Sequence, residues 1–261
     1  MHGHEKKNRF QVLEILYFVT QFWTVNFKDF QVFIGLSIYT VFEWPGSYCA
    51  QSSKRCCLPT IGEPDEDFFV FGLYATNSTG AVLRKCPNEQ SFEFSELEGL
   101  EESLSGLWSS IKCPSNNGQS MWKSLWKNNG VCSNLSLFKY FKQGIIIHCE
   151  INLIKALRFQ DQLLLNLGIV PNGRLYQLVE IKKALKHELG AVVGIRCSTN
   201  LEREFQLYEV YVCIDKVDAT SLIPCSSLPD FKCPDEIRFL AFNLQMLKKD
   251  VISNSHNLQV E

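Results

Sequence analysis

The side chains able to exchange protons near neutral pH are few and scattered. Five histidines stand at His2, His4, His148, His187 and His256. They do not cluster with the cysteines and no CxxC pair occurs, so neither a zinc site nor any other cofactor is expected. The densest polar constellation is Trp122-Lys123-Ser124-Leu125-Trp126-Lys127-Asn128-Asn129-Gly130-Val131-Cys132. It offers a hydroxyl, two amides and two amines. Serine and asparagine do not titrate usefully, so this stretch supplies no general acid or base. Lys123 and Lys127 read as solvated helix charges. His187 falls on an amphipathic pattern beside Lys186 and Glu188, and reads as a surface histidine. His148 reads as a surface or loop histidine.

Eleven cysteines stand at Cys49, Cys56, Cys57, Cys86, Cys113, Cys132, Cys149, Cys197, Cys213, Cys225 and Cys233. That density predicts a disulfide framework in an oxidising compartment, with one thiol left over. Sequence alone does not fix the connectivity. Two sequons, Asn77-Ser78-Thr79 and Asn134-Leu135-Ser136, fit passage through the secretory pathway as glycosylation sites. The formal net charge of −2 gives no general attraction to a polyanion, so any RNA contact would be local.

Around these residues the chain alternates strand and helix signals. Ile15–Trp23 and Ser37–Trp44 are aromatic and β-branched and read as strands. Asp67–Tyr74 reads as a short buried strand, and Ala191–Cys197 and Phe205–Ile214 as two more. Ser95 with Glu98 forms a capping-box pattern ahead of Leu97, Leu100, Leu104 and Leu107 at helical spacing. Met121–Lys127 and Leu153–Leu167 read as helices. Pro171-Asn172-Gly173 marks a turn. Leu178, Ile181, Leu185 and Leu189 mark an amphipathic helix that Gly190 stops.

The N-terminus starts basic, but the apolar run Val32–Phe42 leads into Trp44-Pro45-Gly46 without a small-residue cleavage pattern. The run is also shorter than the roughly 20 residues of a membrane span, so none is expected.

Four segments, in order, resemble the ribonuclease T2 family, which includes the plant self-incompatibility and S-like ribonucleases. The first is Trp44-Pro45-Gly46-Ser47-Tyr48-Cys49 with Cys56-Cys57-Leu58-Pro59-Thr60. The second is Asp67-Phe68-Phe69-Val70-Phe71-Gly72-Leu73-Tyr74-Ala75, similar to the family's Phe-x-Ile-His-Gly-Leu-Trp-Pro. The third runs from Leu107-Trp108 through Cys113-Pro114-Ser115 to the 122–132 stretch, which the family writes Trp-x-His-Glu-Trp-x-Lys-His-Gly-Thr-Cys. The fourth is the strand Leu207–Asp215. The similarity spans about Tyr39 to Phe239. An apparent insertion at about Lys142–Ile154 holds both His148 and Cys149.

The resemblance implies an α+β fold: a central antiparallel sheet flanked by helices and stapled by disulfides. It implies residues 37–245 as the domain, with an uncertain N-terminal segment at 1–36 and a polar tail at 246–261. It implies the pairs Cys49–Cys56, Cys57–Cys113, Cys86–Cys132, Cys197–Cys233 and Cys213–Cys225, leaving Cys149. In that family two histidines cleave RNA without a metal, and a glutamate and a lysine stabilise the charged transition state. Carried onto this chain, the histidine of the second segment is Phe71. In the 122–132 stretch the first histidine is Ser124, the glutamate Leu125, the lysine Asn128 and the last histidine Asn129. At base-recognition positions a glutamine becomes Glu43, which would repel phosphate if it faces the cleft, and a stacking aromatic becomes Met121; Trp122 remains. Each positioned acid or base is worth roughly 10²–10⁴ in rate. The expectation is therefore a monomeric, secreted family homologue without catalysis, acting in storage, binding or as a decoy, with RNA or a nucleotide as the implied partner. The alternative is an active secreted endoribonuclease that leaves 2′,3′-cyclic phosphate ends.

Overall fold

Runs of β-branched and aromatic residues build the sheet. The computed structural model describes residues 38–51, 56–77, 79–87, 90–158, 168–215, 221–225, 228 and 231–248. The strand expected at Ile15–Trp23 and most of the polar tail lie outside the described residues. Residues 33–261 form one compact unit.

The strands are β1 (Ile38–Glu43), β2 (Cys56–Cys57), β3 (Phe69–Ala75), β4 (Leu175–Gln177), β5 (Gly194–Thr199), β6 (Phe205–Ile214), β7 (Leu222–Ile223), β8 (Glu236–Arg238) and β9 (Leu247–Lys248). The helices are α1 (Pro45–Ala50), α2 (Glu101–Leu107), α3 (Gln119–Asn128), α4 (Leu137–Ile151), α5 (Leu153–Arg158) and α6 (Leu178–Leu189). The main sheet runs β3-β1-β6-β8-β4, with β5 and β7 also paired to β6. The β1–β3, β1–β6, β5–β6, β6–β7 and β4–β8 ladders are antiparallel, and β6–β8 is parallel. The fold is thus α+β, with a largely antiparallel central sheet flanked by helices.

Register sorts the sheet into two faces, because residues paired across a ladder point the same way. Thr40, Phe42, Leu73, Val210 and Val212 share one face. Helix α4 covers it. The Tyr140 hydroxyl donates to the Leu73 carbonyl at 2.9 Å. A Cβ on Gly144 would lie 2.4 Å from the Trp108 ring and 2.8 Å from Leu73, so only glycine lets the helix approach this closely. Tyr39, Val41, Glu43, Gly72, Tyr74, Arg196, Glu209 and Tyr211 share the opposite face.

Two sequence readings change here. Lys142–Ile154 is structural core: Ile145, Ile147, Ile151, Leu153 and Ile154 are all buried. His148 is accordingly buried rather than a surface or loop residue. Its Nε2 lies 2.7 Å from the Phe68 carbonyl, and its ring packs 5.8 Å from that of Phe42. The Ser95–Glu98 capping box does not form. Phe94–Leu97 is a single 3₁₀ turn, Gly99 takes φ +84°, and α2 starts only at Glu101. The leucine spacing reports burial on both sides of that break.

Five disulfides tie the chain: Cys49–Cys56, Cys57–Cys113, Cys86–Cys132, Cys197–Cys233 and Cys213–Cys225. Cys149 is a free, exposed thiol at the end of α4. Among the described residues no helix is long and apolar enough to cross a membrane, and no histidine, cysteine and carboxylate cluster could hold a metal.

Candidate active-site cleft

Helix α3 sets the cleft wall. Trp122 and Trp126 are one turn apart and fully buried, so they turn that side of the helix inward. The Trp122 indole donates to the Trp108 carbonyl at 3.0 Å, and its ring stacks on Phe94 at 6.0 Å. Trp122 is therefore a core residue. The Trp126 indole donates to the Gln90 carbonyl at 3.2 Å. A Cβ on Gly130 would fall 2.4 Å from the Trp126 ring, which requires glycine there. Cys132 is bonded to Cys86.

The other side of α3 carries the positions where chemistry is expected. Ser124 is exposed, and Leu125 and Asn128 are half-buried. The Asn128 amide donates back to the Ser124 carbonyl at 2.8 Å and to its hydroxyl at 3.3 Å, so these two polar groups occupy each other. A Cβ on Gly72 would sit 2.9 Å from both Leu125 Cδ1 and the Tyr74 hydroxyl, which places Leu125 against β3 at the cleft floor. Phe71, at the β1–β3 irregularity, is 41% exposed. Met121 is half-buried. Asn129 is 4% exposed, and its Nδ2 is buried without a hydrogen-bond acceptor.

Glu43 stands directly across the ladder from Glu209. Arg196 forks onto Glu209 with both contacts at 3.1 Å, and the Tyr211 hydroxyl donates to the same carboxylate at 2.6 Å. Glu43 is left with the Tyr208 hydroxyl at 2.7 Å. Burial, helped by the Glu209 charge, pushes its pKa up to about 7, against the opposing Tyr208 bond and Arg196 charge. The Glu43 side chain is buried on the same face as Gly72 and Tyr74, and it is neutral over much of the acidic range.

Neither remaining histidine among the described residues reaches this cleft. His148 lies on the α4 side of the sheet beside Phe42. His187 is exposed on α6, its Nδ1 3.4 Å from Glu188. Sequence reasoning missed Arg84 and Lys85. The Lys85 N–H donates to the Asn128 carbonyl at 2.8 Å and Cys86 joins Cys132, so this segment is fastened to the end of α3. Arg84 is close enough to Tyr74 for its charge to act on that hydroxyl. The Cys86–Cys132 pairing was the signal that brings the two cations here. Of the sequons, Asn134 is exposed, and Asn77 Oδ1 accepts from the N–H groups of Thr79 and Ala81.

The Ribonuclease T2 family model matches residues 35–225, and the chain belongs to that family. Among its relatives is "Extracellular ribonuclease LE" of Solanum lycopersicum, 34% identical over 89% of this chain and 97% of that one. "Intracellular ribonuclease LX" of the same plant is 35% identical over 84% and 87%. Among solved structures, that of RNase NT in complex with 5′-AMP aligns with a TM-score of 0.71 at 35% identity, covering 80% of this chain and 99% of that one.

Proposed function

We propose that this chain is a ribonuclease T2 scaffold without RNA-cleaving chemistry, serving as a storage, binding or decoy protein. One observation carries the reading. At the five family catalytic positions stand Phe71, Ser124, Leu125, Asn128 and Asn129, and none moves a proton or carries a positive charge. The scaffold residues around them (Trp122, Trp126, Gly130, Cys132) are in place and packed. RNase NT holds 5′-AMP, and a mononucleotide is the ligand class this cleft would retain. Five disulfides and the extracellular relative support an oxidising, secretory location, with Asn134 the more accessible sequon.

The test is RNA cleavage by the purified, oxidised protein from about pH 4 to 8, where an imidazole pair would work. It is run beside the variant Phe71→His, Ser124→His, Leu125→Glu, Asn128→Lys, Asn129→His. A silent natural protein and a cleaving variant are expected. Cleavage by the natural protein that survives repeated purification sinks the reading in favour of an active endoribonuclease. Retained binding of 5′-AMP by the silent protein would favour the binding role over storage.

A further inference from the structure

A cavity of about 470 Å³ opens where α6 passes the outer strand β5. That volume falls within the roughly 300–1,000 Å³ of small-molecule sites. The edge of the sheet lines it from Val192 to Ile195; Val192 is 52% exposed, while the Ile195 side chain is buried on the Val210 face. The wall opposite the helix is Leu228 and Phe231. Phe231 rests its ring 4.6 Å from that of Tyr211, and the bonds Cys213–Cys225 and Cys197–Cys233 anchor the chain on either side of this wall. At Gly194 a Cβ would come within 2.9 Å of Leu228, so the missing side chain lets the wall sit close to the strand.

The rim carries the charge. Lys182 and Lys186 are one helical turn apart on α6 and so share a side of the helix. Both are exposed and both line the cavity. Among the described residues no carboxylate lines it, and neither lysine forms an ion pair. Two ammonium groups beside the exposed Val192 and the half-buried Leu228 and Phe231 fit a ligand with a charged head and a greasy body. The site lies away from Phe71 and Gly72 on β3. In the sheet β1 and β6 stand between β3 and β5, three inter-strand steps or about 14 Å in all.

We propose that this cavity binds an amphipathic organic anion, its carboxylate, sulfonate or phosphate head between Lys182 and Lys186 and its apolar body against Val192, Leu228 and Phe231. This goes beyond the non-catalytic reading of the cleft and does not depend on it.

The experiment titrates the oxidised full chain with anilinonaphthalene sulfonate and with N-phenyl-1-naphthylamine, which has the same aromatic body without the anion. The expected result is saturable one-site binding of the sulfonate, weakened by salt and about tenfold tighter than the neutral probe. The variant Lys182→Gln/Lys186→Gln keeps helix-favouring side chains at exposed positions, so it should fold, which circular dichroism checks. It should lose about tenfold in sulfonate affinity while leaving the neutral probe unchanged. Leu228→Glu should also weaken the sulfonate. The proposal is overturned if the natural protein binds no sulfonate, or if the folded double-lysine variant binds it as tightly as before. Loss of the site in Leu125→Glu but not in the lysine variant would place the probe in the family cleft and overturn it as well.

Discussion

Glu43 is a residue whose chemistry the folded sheet changes. In the unfolded chain it titrates near 4.5; in the fold it does so at about 7. Between those values the folded state binds more protons than the unfolded one, so stability falls as pH rises through the window. Below about 4.5 both states are protonated and the penalty is absent; above about 7 it is complete. A shift of this size is worth on the order of 3 kcal/mol. Glu43→Gln removes the charge and keeps an acceptor for the Tyr208 hydroxyl. Its melting temperature should rise above that of the natural protein at pH 8 and match it at pH 4, as calorimetry at the two pH values would show. None of this was legible from the sequence, because a glutamate in a strand gives no sign that its cross-strand neighbour is Glu209, nor that Arg196 forks onto that neighbour. The identities at Phe71, Ser124, Leu125, Asn128 and Asn129 were legible, since what they lack is a matter of residue type alone.

Helix α3 and the turn after it show why one face of an element reads well from sequence. The Trp122–Trp126 spacing, Gly130 and Cys132 each have one packing reason. Gly130→Ala should press its methyl into the Trp126 ring and cost about 1–3 kcal/mol, measurable by urea denaturation. Helix α4 read poorly. Its buried residues Ile147, His148 and Ile151 fall in the stretch that the family pattern lacks, so the resemblance gives no guide to them. The physical signal was present as helical spacing onward from Leu137, and Ser136 caps it by accepting from the Lys139 N–H. His148→Leu leaves the Phe68 carbonyl without its buried partner and should cost roughly 1–3 kcal/mol. The same variant should leave any 5′-AMP affinity unchanged, because His148 lies across the sheet from the cleft. Titration calorimetry beside a thermal melt would separate the two effects.

At the scale of the molecule, order along the chain predicted more than local propensity did. The four family-like segments gave the sheet and its helices. The register of β1 on β6, the cavity beside β5 and the cations at Arg84 and Lys85 come from contacts between distant residues that no window of sequence contains. The cross-links matter at this scale. Cys86–Cys132 closes a separation of 46 residues and holds the end of α3. Replacing both cysteines by alanine should cost about 2–4 kcal/mol and lower the denaturant midpoint, while Cys149→Ala should leave it within error.

The two-sided build of α3 also bears on how such a chain changes over generations. Phe71 and Ser124 meet solvent, so each can be exchanged with little effect on folding, whereas Leu125 packs against Gly72 and Asn128 bonds back to Ser124. Asn129 differs: its amide is buried and unmatched. The solvent-facing positions can thus change by single steps that cross no unfolded intermediate, while steps at residues 125 and 129 should register in a melting curve.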